Sequence, residues 1–221
     1  MSLKIIHTAD WHLGQTFFGY DRDEEHEAFL SWLIDILTLR QTDVLLIAGD
    51  VFDVANPSAA AQRRFFRFLR EANRHNPQLQ IVIIAGNHDS AARLEAPIPL
   101  LEELNTSIVG VVPRTDLCKI DFDSLLIPLY NKEGKREAIC LAVPYLRQGD
   151  YPASKEGKDT YVEGVTRMYR QLYDYADSQR QPGEALFAMG HLHATGCHVI
   201  LEFCLSSFRN TKVSENSDMA K

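Results

Sequence analysis

The sequence predicts an α/β fold built on a largely parallel sheet. Short apolar runs rich in β-branched residues alternate along the chain with longer segments of helical period. This alternation is typical of parallel strands that are connected by helices. The chain has 221 residues, of which 45% are hydrophobic and 24% are charged. That composition excludes a disordered, collagen-like or disulfide-stapled protein, and the length is sufficient for one domain to bury its own core.

The expected strands are the short apolar runs that polar or turn residues bound. They cover residues 3–7, 44–48, 81–85, 108–112, 125–129, 139–143 and 186–189.

The segments between these strands contain the expected helices. A helix of about 16 residues between the first two strands has apolar residues at helical spacing, namely Phe29, Leu33, Ile36 and Leu37. A second helix is expected at about residues 58–73. A third follows Ser90 and is broken by Pro97 and Pro99, because proline removes a backbone donor and clashes with the preceding turn. A fourth is expected at about residues 161–176.

Charge and cysteine content limit the partners and the compartment. The net charge is −7 and the isoelectric point is about 5.6, so no global basic field attracts nucleic acid, and a DNA partner needs local basic patches or bound cations. The four cysteines form no CxxC pair, which favours reduced thiols. We find no secretory leader and no apolar run long enough to span a membrane, and therefore expect a soluble, cytoplasmic protein without a membrane partner.

In four places an apolar strand leads directly into a short polar cluster. The segments are IIHTADWH (5–12), LLIAGDVFD (45–53), VIIAGNHD (82–89) and LFAMGHLH (186–193). Parallel strands place their carboxyl ends on one edge of the sheet, so clusters that are remote in sequence can meet there. The small residues that precede each cluster permit a tight turn and a close backbone approach.

These clusters carry side chains of the types that bind metal ions. They are Asp10, His12, Asp50, Asn87, His88, Asp89, His191 and His193. Mixed carboxylate, imidazole and amide ligands without thiolate suit manganese, iron or zinc, and their number favours two cations. Two cations about 3.5–4 Å apart are typical of phosphoryl transfer to water. Asp50 is the candidate bridge. Each motif alone is also compatible with a polar turn or a helix cap, but their joint occurrence favours a metal centre.

The order of these motifs resembles the calcineurin-like metallophosphoesterases, and most closely their SbcD-type nucleases. The resemblance extends from about residue 3 to Gly196 and implies a two-sheet sandwich flanked by helices, in α-β-β-α layers. We expect this nuclease domain, incomplete at its C-terminal side, to cover residues 1–205, and residues 206–221 to be a disordered tail outside the family pattern. The segments that carry the resemblance are HTADWHLGQ (7–15), AGDVFDVANPS (48–58), AGNHDS (85–90), VPYLR (143–147) and MGHLHATG (189–196).

The resemblance implies the following metal ligands. Asp10 and His12 would bind the first metal ion, Asp50 would bridge, and Asn87 and His191 would bind the second. The implied cofactors are two Mn²⁺ ions, with Mg²⁺ or another divalent cation as the alternative.

Four further residues are placed in or near the site by the same resemblance. His88 would act on the scissile phosphate, stabilising the transition state or protonating the leaving 3′ oxygen, and Asp89 would orient its imidazole. Asp53 and His193 are expected near the site, Asp53 without coordinating a metal ion.

The family's last GHxH motif is not found, and no histidine lies between His88 and His191. GHLH is therefore assigned as the fourth motif, the second metal site is expected to be incomplete, and the segment after Gly196 is interpreted as a truncation or frameshift. The open alternative is that His198 supplies a ligand.

The function implied by the resemblance is that of a Mn²⁺-dependent DNA exonuclease and endonuclease subunit of the 3′–5′ type, acting in DNA repair, recombination and replication. Its implied partners are DNA ends or hairpins, a coiled-coil ATPase of SbcC type and a second copy of the chain. A small-molecule phosphodiesterase of the same fold and a catalytically impaired fragment remain the alternatives.

Two features outside the motifs each have two interpretations. A basic stripe on the second helix either contacts phosphate or is a solvated face; it contains Arg63, Arg67, Arg70 and Arg74. A segment after the first motif either lies near a DNA end or is a packed aromatic loop; it contains Gln15, Phe17, Phe18 and Tyr20.

Overall fold

The computed structural model describes residues 3–116, 118–153 and 160–192. The strands in this part of the chain are β1 (Ile5–Thr8), β2 (Thr16–Phe17), β3 (Tyr20–Asp21), β4 (Val44–Ala48), β5 (Gln80–Ile84), β6 (Thr106–Val109), β7 (Leu126–Tyr130), β8 (Arg136–Ala142) and β9 (Ala185–Met189). The helices are α1 (Asp23–Leu39), α2 (Ala59–His75), α3 (Ala91–Glu95), α4 (Ile98–Leu101) and α5 (Tyr161–Gln179), with single 3₁₀ turns at Glu102–Leu104 and Asp123–Leu125.

The first sheet is parallel and has the strand order β1-β4-β5-β6. Strand β4 is buried along its whole length, as expected for a central strand covered on both faces. Alternate residues of β4 pack into two different hydrophobic cores, one on each face of the sheet. Leu45 and Ile47 pack with the apolar side chains of α1 and α2, whereas Leu46 and Ala48 pack with the second sheet.

The second sheet has the order β7-β8-β9, with β7 antiparallel and β9 parallel to β8. Helix α5 contacts β8 and buries Met168, Leu172 and Ala176 in the core that the two sheets share. The layers therefore follow the order helix, sheet, sheet, helix. This confirms the predicted α/β sandwich.

The helix boundaries follow local sequence signals. The Ser58 hydroxyl accepts a hydrogen bond from Ala61 N at 3.1 Å, which caps the start of α2. Thr160 and Glu163 form a capping box at the start of α5. The helix expected after Ser90 is divided into α3, α4 and a 3₁₀ turn, as its two prolines predict.

Most strand boundaries differ from the prediction by one to three residues, and the end of β6 has an identifiable cause. Strand β6 was expected to extend to residue 112 but ends at Val109. The next two backbone amides, of Gly110 and Val111, donate to the Glu95 carboxylate at 2.8 and 3.1 Å, which removes these donors from the sheet ladder. The short hairpin of β2 and β3 was not expected, because two residues in each strand give no readable alternation.

Some predictions lie outside the described residues. They concern the tail at 206–221 and the C-terminal limit of the domain, as well as His193 and His198. Across the described ranges, none of the helices combines the length and the apolar character that crossing a membrane requires. The cytoplasmic location remains a prediction from the sequence.

Candidate metal centre

The loop that follows β1 runs beside the loop that follows β4. Asp10 N donates to Gly49 O at 3.1 Å, and His12 N donates to Asp50 O at 3.0 Å. These backbone hydrogen bonds place the acidic and imidazole side chains of the two motifs next to each other. The carboxyl edge of the parallel sheet therefore brings the first two motifs together, as expected.

The backbone of both loops is strained at the ligand positions. Asp10, His12 and Asp50 have φ values of 55°, 46° and 49°, in the left-handed region that residues other than glycine seldom adopt. Such strain is concentrated at functional sites, where the surrounding structure maintains it. The side chains delivered here are Asp10 and His12, the predicted ligands of the first metal ion, and Asp50, the predicted bridge.

Asp50 lies between two imidazoles. Its Oδ2 atom is 3.6 Å from His12 Nε2 and 3.4 Å from His191 Nε2. His12 Nε2 is also 4.0 Å from Asp10 Oδ1, and His191 Nε2 is 3.1 Å from Asn87 Oδ1. The five predicted metal ligands therefore form two adjoining groups that share the buried carboxylate of Asp50.

The hydrogen-bond partners of the two imidazoles indicate what these groups can bind. His12 Nδ1 donates to Asp53 Oδ1 at 3.1 Å, and His191 Nδ1 donates to Ala48 O at 2.9 Å. Since a carboxylate and a carbonyl only accept, the neutral rings carry their proton on Nδ1 and present an Nε2 lone pair. In each ring the Nε2 lone pair faces a carboxylate oxygen of Asp50, so two hydrogen-bond acceptors face each other on either side of Asp50. A cation between them removes this repulsion.

The ligand spacing fits such a cation. Nitrogen and oxygen ligands bind divalent ions at about 2.0–2.2 Å, so two ligands of one ion lie roughly 3–4 Å apart. Asp10, His12 and Asp50 offer ligand atoms within 4.8 Å of one another. In the group proposed for the second metal ion, His191 Nε2 is 3.4 Å from Asp50 Oδ2 and 3.1 Å from Asn87 Oδ1, distances that two ligands of one ion can have.

Two glycines make this close approach possible. A Cβ atom on Gly49 would overlap the His191 imidazole, and one on Gly86 would overlap the Asp50 carboxylate. Gly49 also has a φ of 85°, which glycine adopts without strain. The AGD and AGN motifs therefore need glycine at Gly49 and Gly86, because a side chain from another motif occupies the space that a Cβ atom would fill.

Asp89 has a different role from the one expected. Its carboxylate accepts hydrogen bonds from the backbone amides of Val51, Phe52 and Gly86 at 3.1, 3.0 and 2.9 Å. Burial raises the pKa of Asp89, and the three amides oppose that increase. These hydrogen bonds go to backbone amides and not to the His88 imidazole that Asp89 was expected to orient. Asp89 fastens the loop after β4 to the loop after β5.

The His88 imidazole is held by the backbone of Asp53. His88 Nδ1 donates to Asp53 O at 2.8 Å, while the His88 amide donates to Asp50 Oδ1 at 2.9 Å. The ring is exposed and meets the His12 ring edge to face, with centroids 5.0 Å apart. The hydrogen bond to Asp53 O and the nearby carboxylates raise the pKa of His88.

Asp53 connects these histidines. Its carboxylate Oδ1 accepts from His12 Nδ1 and from Gln15 Nε2, the latter at 3.3 Å, and its carbonyl accepts from His88. The sequence predicted a position near the site without coordination, and these bonds are consistent with it. The sequence did not predict that the backbone carbonyls of Asp53 and Ala48 accept hydrogen bonds from histidines, because every residue type has a backbone carbonyl.

The basic stripe on α2 is largely paired. Arg67 bonds to Glu27, and both Arg70 and Arg74 bond to Glu71. Pairing with carboxylates favours the interpretation of this stripe as a solvated face.

Comparison with known proteins assigns the chain to a family. The family model described as calcineurin-like phosphoesterase matches residues 3–210. The chain belongs to the calcineurin-like phosphoesterase family. The matched range reaches past Gly196, the position at which the motif resemblance was expected to stop.

Within this family, the chain is similar to proteins named as the SbcD component of the nuclease SbcCD. It is 46% identical over 198 residues to the one from Rhodobacter capsulatus, covering 88% of this chain and 49% of that protein. It is 32% identical over 206 residues to the one from Escherichia coli K12, with coverages of 88% and 47%. The corresponding values for Bacillus subtilis are 32% over 200 residues, 88% and 48%. These similarities confirm the predicted SbcD-type resemblance, and the chain spans about half the length of these curated relatives.

Proposed function

We propose that this chain carries the hydrolytic centre of a DNA nuclease of SbcD type, which cleaves phosphodiester bonds with two divalent cations, Mn²⁺ being the expected ion and Mg²⁺ the alternative. The observation that supports this most directly is the Asp50 carboxylate, which lies between the Nε2 atoms of His12 and His191. A buried carboxylate shared by two imidazoles is suited to bridge two cations.

Each cation would have three ligands from the described part of the chain. Asp10, His12 and Asp50 would hold the first, and Asp50, Asn87 and His191 would hold the second. When bound, the two ions would activate water and stabilise the charge of an in-line displacement at phosphorus. Asp53 and the Ala48 carbonyl would keep the two histidines in the tautomer that can bind metal.

His88 is proposed to act on the substrate and not on a metal ion. Its Nδ1 atom donates a hydrogen bond to the Asp53 carbonyl, so Nε2 is the atom that the exposed ring presents to a substrate. The hydrogen bond that raises the pKa of His88 also favours the protonated ring. A protonated Nε2 can donate to the leaving 3′ oxygen, and general acid catalysis of this kind accelerates hydrolysis by roughly 10²- to 10⁴-fold. Asp89 would support this role indirectly, by fixing the loop that carries His88.

The partners belong to the same proposal. The similar proteins are named as components of SbcCD nucleases, and we propose that this chain likewise acts on DNA ends with a coiled-coil ATPase of SbcC type, as a homodimer in the cytoplasm. Repair and recombination of DNA are the processes that such an activity would serve.

The test combines metal binding with hydrolysis. Calorimetric titration of the chain with Mn²⁺ should show two sites, and single-stranded DNA and bis(4-nitrophenyl) phosphate should both be hydrolysed. Asp50→Asn should abolish hydrolysis and at least one site. Asp35, exposed on α1, provides the matched control, because Asp35→Asn should change neither measurement.

Each alternative corresponds to a distinct result. Hydrolysis of small esters while DNA remains intact would replace the nuclease with a small-molecule phosphodiesterase. A single Mn²⁺ site without hydrolysis would identify a catalytically impaired fragment whose second metal site is incomplete. Hydrolysis that survives in Asp50→Asn would overturn the assignment of the centre.

A further inference from the structure

The hairpin of β2 and β3, residues 16–21, carries an unusual cluster of exposed aromatic side chains, and we refer to it as the aromatic hairpin. Phe17, Phe18 and Tyr20 are 64%, 87% and 78% exposed. The rings of Phe17 and Phe18 lie edge to face, with centroids 4.6 Å apart. The interpretation of this segment as a packed aromatic loop is therefore wrong. Three large apolar faces instead point to solvent.

The tip of the aromatic hairpin has an unfavourable conformation. Phe18 and Gly19 form its turn, with φ values of 50° and 83°. Two-residue turns with positive φ at both positions prefer Asn-Gly or Asp-Gly, and a bulky side chain in this region is rare. Because the Phe18 ring is almost fully exposed, burial within the chain does not offset the strain. Such a residue is best explained by a contact with another molecule.

The aromatic hairpin is connected directly to the metal centre. The two residues that flank it are joined by a hydrogen bond from Arg22 Nη1 to Gln15 Oε1 at 2.8 Å. Gln15 Nε2 in turn donates to the Asp53 carboxylate at 3.3 Å, and that carboxylate holds His12. A continuous set of side-chain hydrogen bonds therefore links the base of the aromatic hairpin to a predicted metal ligand.

We propose that the aromatic hairpin stacks against an unpaired nucleobase of the strand whose phosphodiester lies at the metal centre. This inference rests on the proposed function and specifies the substrate as a strand with an unstacked base next to the cut. Aromatic rings accept any of the four bases, because every base has a π face. The aromatic hairpin would therefore hold the strand without regard to sequence.

The charge of the chain favours this mode of binding. The net charge is −7, and three arginines of the basic stripe are paired with glutamates, so neither the overall field nor these arginines attract the phosphate backbone strongly. Stacking does not depend on net charge. A strand held by cations at its phosphate and by aromatic rings at its base needs no basic surface.

The test measures base stacking directly and does not require cleavage. A short single-stranded oligonucleotide with 2-aminopurine as its 3′-terminal base is titrated with the full chain in Ca²⁺, which limits hydrolysis. Binding should quench 2-aminopurine fluorescence. The double variant Phe17→Ala/Phe18→Ala should lose the quenching and raise Kd by about tenfold, the effect expected from one stacked base. Both side chains are exposed, so the variant should keep the wild-type circular dichroism spectrum.

Two controls separate stacking from other contacts. Tyr173 is another exposed aromatic residue, 50% exposed on α5, and Tyr173→Ala should leave quenching and Kd unchanged. An oligonucleotide with an abasic 3′-terminal position should bind wild type and the double variant equally. Equal quenching in wild type and in the double variant would overturn the inference. So would unchanged oligonucleotide binding combined with a changed sedimentation coefficient, which would identify the aromatic hairpin as a contact between proteins.

The inference and the proposed function can fail separately. Quenching without hydrolysis of bis(4-nitrophenyl) phosphate would leave the stacking site intact and overturn the hydrolytic centre. Hydrolysis of that ester without quenching by the wild-type chain would overturn the stacking site alone.

Discussion

His12 is held by Asp53 through a hydrogen bond of 3.1 Å from the imidazole Nδ1 to the carboxylate Oδ1. The two residues are 41 positions apart in the sequence. Because Nδ1 carries the proton, Nε2 presents its lone pair to Asp10 and Asp50. This contact sets both the orientation and the tautomer of a predicted metal ligand. Orienting carboxylates of this kind increase the basicity of the histidine and its affinity for metal.

Removing this carboxylate should weaken the first metal site. We expect Asp53→Ala to reduce Mn²⁺ affinity at one site by roughly 10- to 100-fold, because the His12 ring is then free to rotate and to change tautomer. Asp53→Asn should be intermediate, since an amide oxygen still accepts from Nδ1. Calorimetric titration measures both affinities. The prediction fails if Asp53→Ala binds Mn²⁺ as tightly as the wild type.

Gly86 should not tolerate a side chain. In Gly86→Ala the new Cβ overlaps the Asp50 carboxylate, so we expect loss of the metal site that Asp50 is proposed to bridge, together with lower stability. The comparison variant is Gly134→Ala, where the Cβ meets open space and the cost is only that of a φ of 75°. That cost is about 1–2 kcal/mol. Mn²⁺ titration and urea denaturation of both variants check this, and intact Mn²⁺ binding in Gly86→Ala would contradict it.

The role of Asp89 predicts a large loss of stability on truncation. Asp89→Ala leaves three amides without their acceptor, and an unsatisfied buried donor costs about 1–3 kcal/mol. We expect the free energy of unfolding in urea to fall by at least about 3 kcal/mol. Asp89→Asn, which retains one acceptor oxygen, should fall by less. If Asp89 instead acted only on the His88 ring, Asp89→Ala would retain wild-type stability.

His26 should make the protein less stable in mild acid. The imidazole is buried with no partner for Nδ1 among the described residues. Burial lowers the pKa of His26, and the neighbouring Arg22 and Arg64 lower it further, against the opposing carboxylates of Asp23 and Glu25. Because the folded-state pKa lies below that of the unfolded chain, the unfolded state binds more protons as the pH falls below about 6.5. The free energy of unfolding should therefore decrease from neutral pH toward the lower pKa of the folded state.

The variant His26→Gln isolates this contribution. Its free energy of unfolding should depend less steeply on pH between about 7 and 5 than that of the wild type, as measured by urea denaturation at several pH values. The same substitution at exposed His75, at the end of α2, serves as the control. Identical pH profiles for wild type and His26→Gln would show that this imidazole is not the responsible group.

Much of the fold could be predicted from local patterns. Strand β4 is confirmed at both ends, and α2 begins after its cap at Ser58, because hydrophobic period and capping are local properties of the chain. The interruption after α3 follows from Pro97 in the same way. The end of β6 could not be predicted, since it depends on the Glu95 carboxylate, which reaches the next two amides from α3.

The sequence by itself determined which strand ends carry polar clusters and which side chains they deliver. Parallel strands bring their carboxyl ends to one edge, so Asp10 and Asp50 were expected to converge before their distances were known. His191 follows β9, which belongs to the second sheet, so its approach to Asp50 depends on how the two sheets pack. Only the tertiary structure decided how the neighbouring residues are used. Asp89 binds backbone amides, and Asp53 holds the histidines, because the partners of a side chain depend on how separate loops align in space.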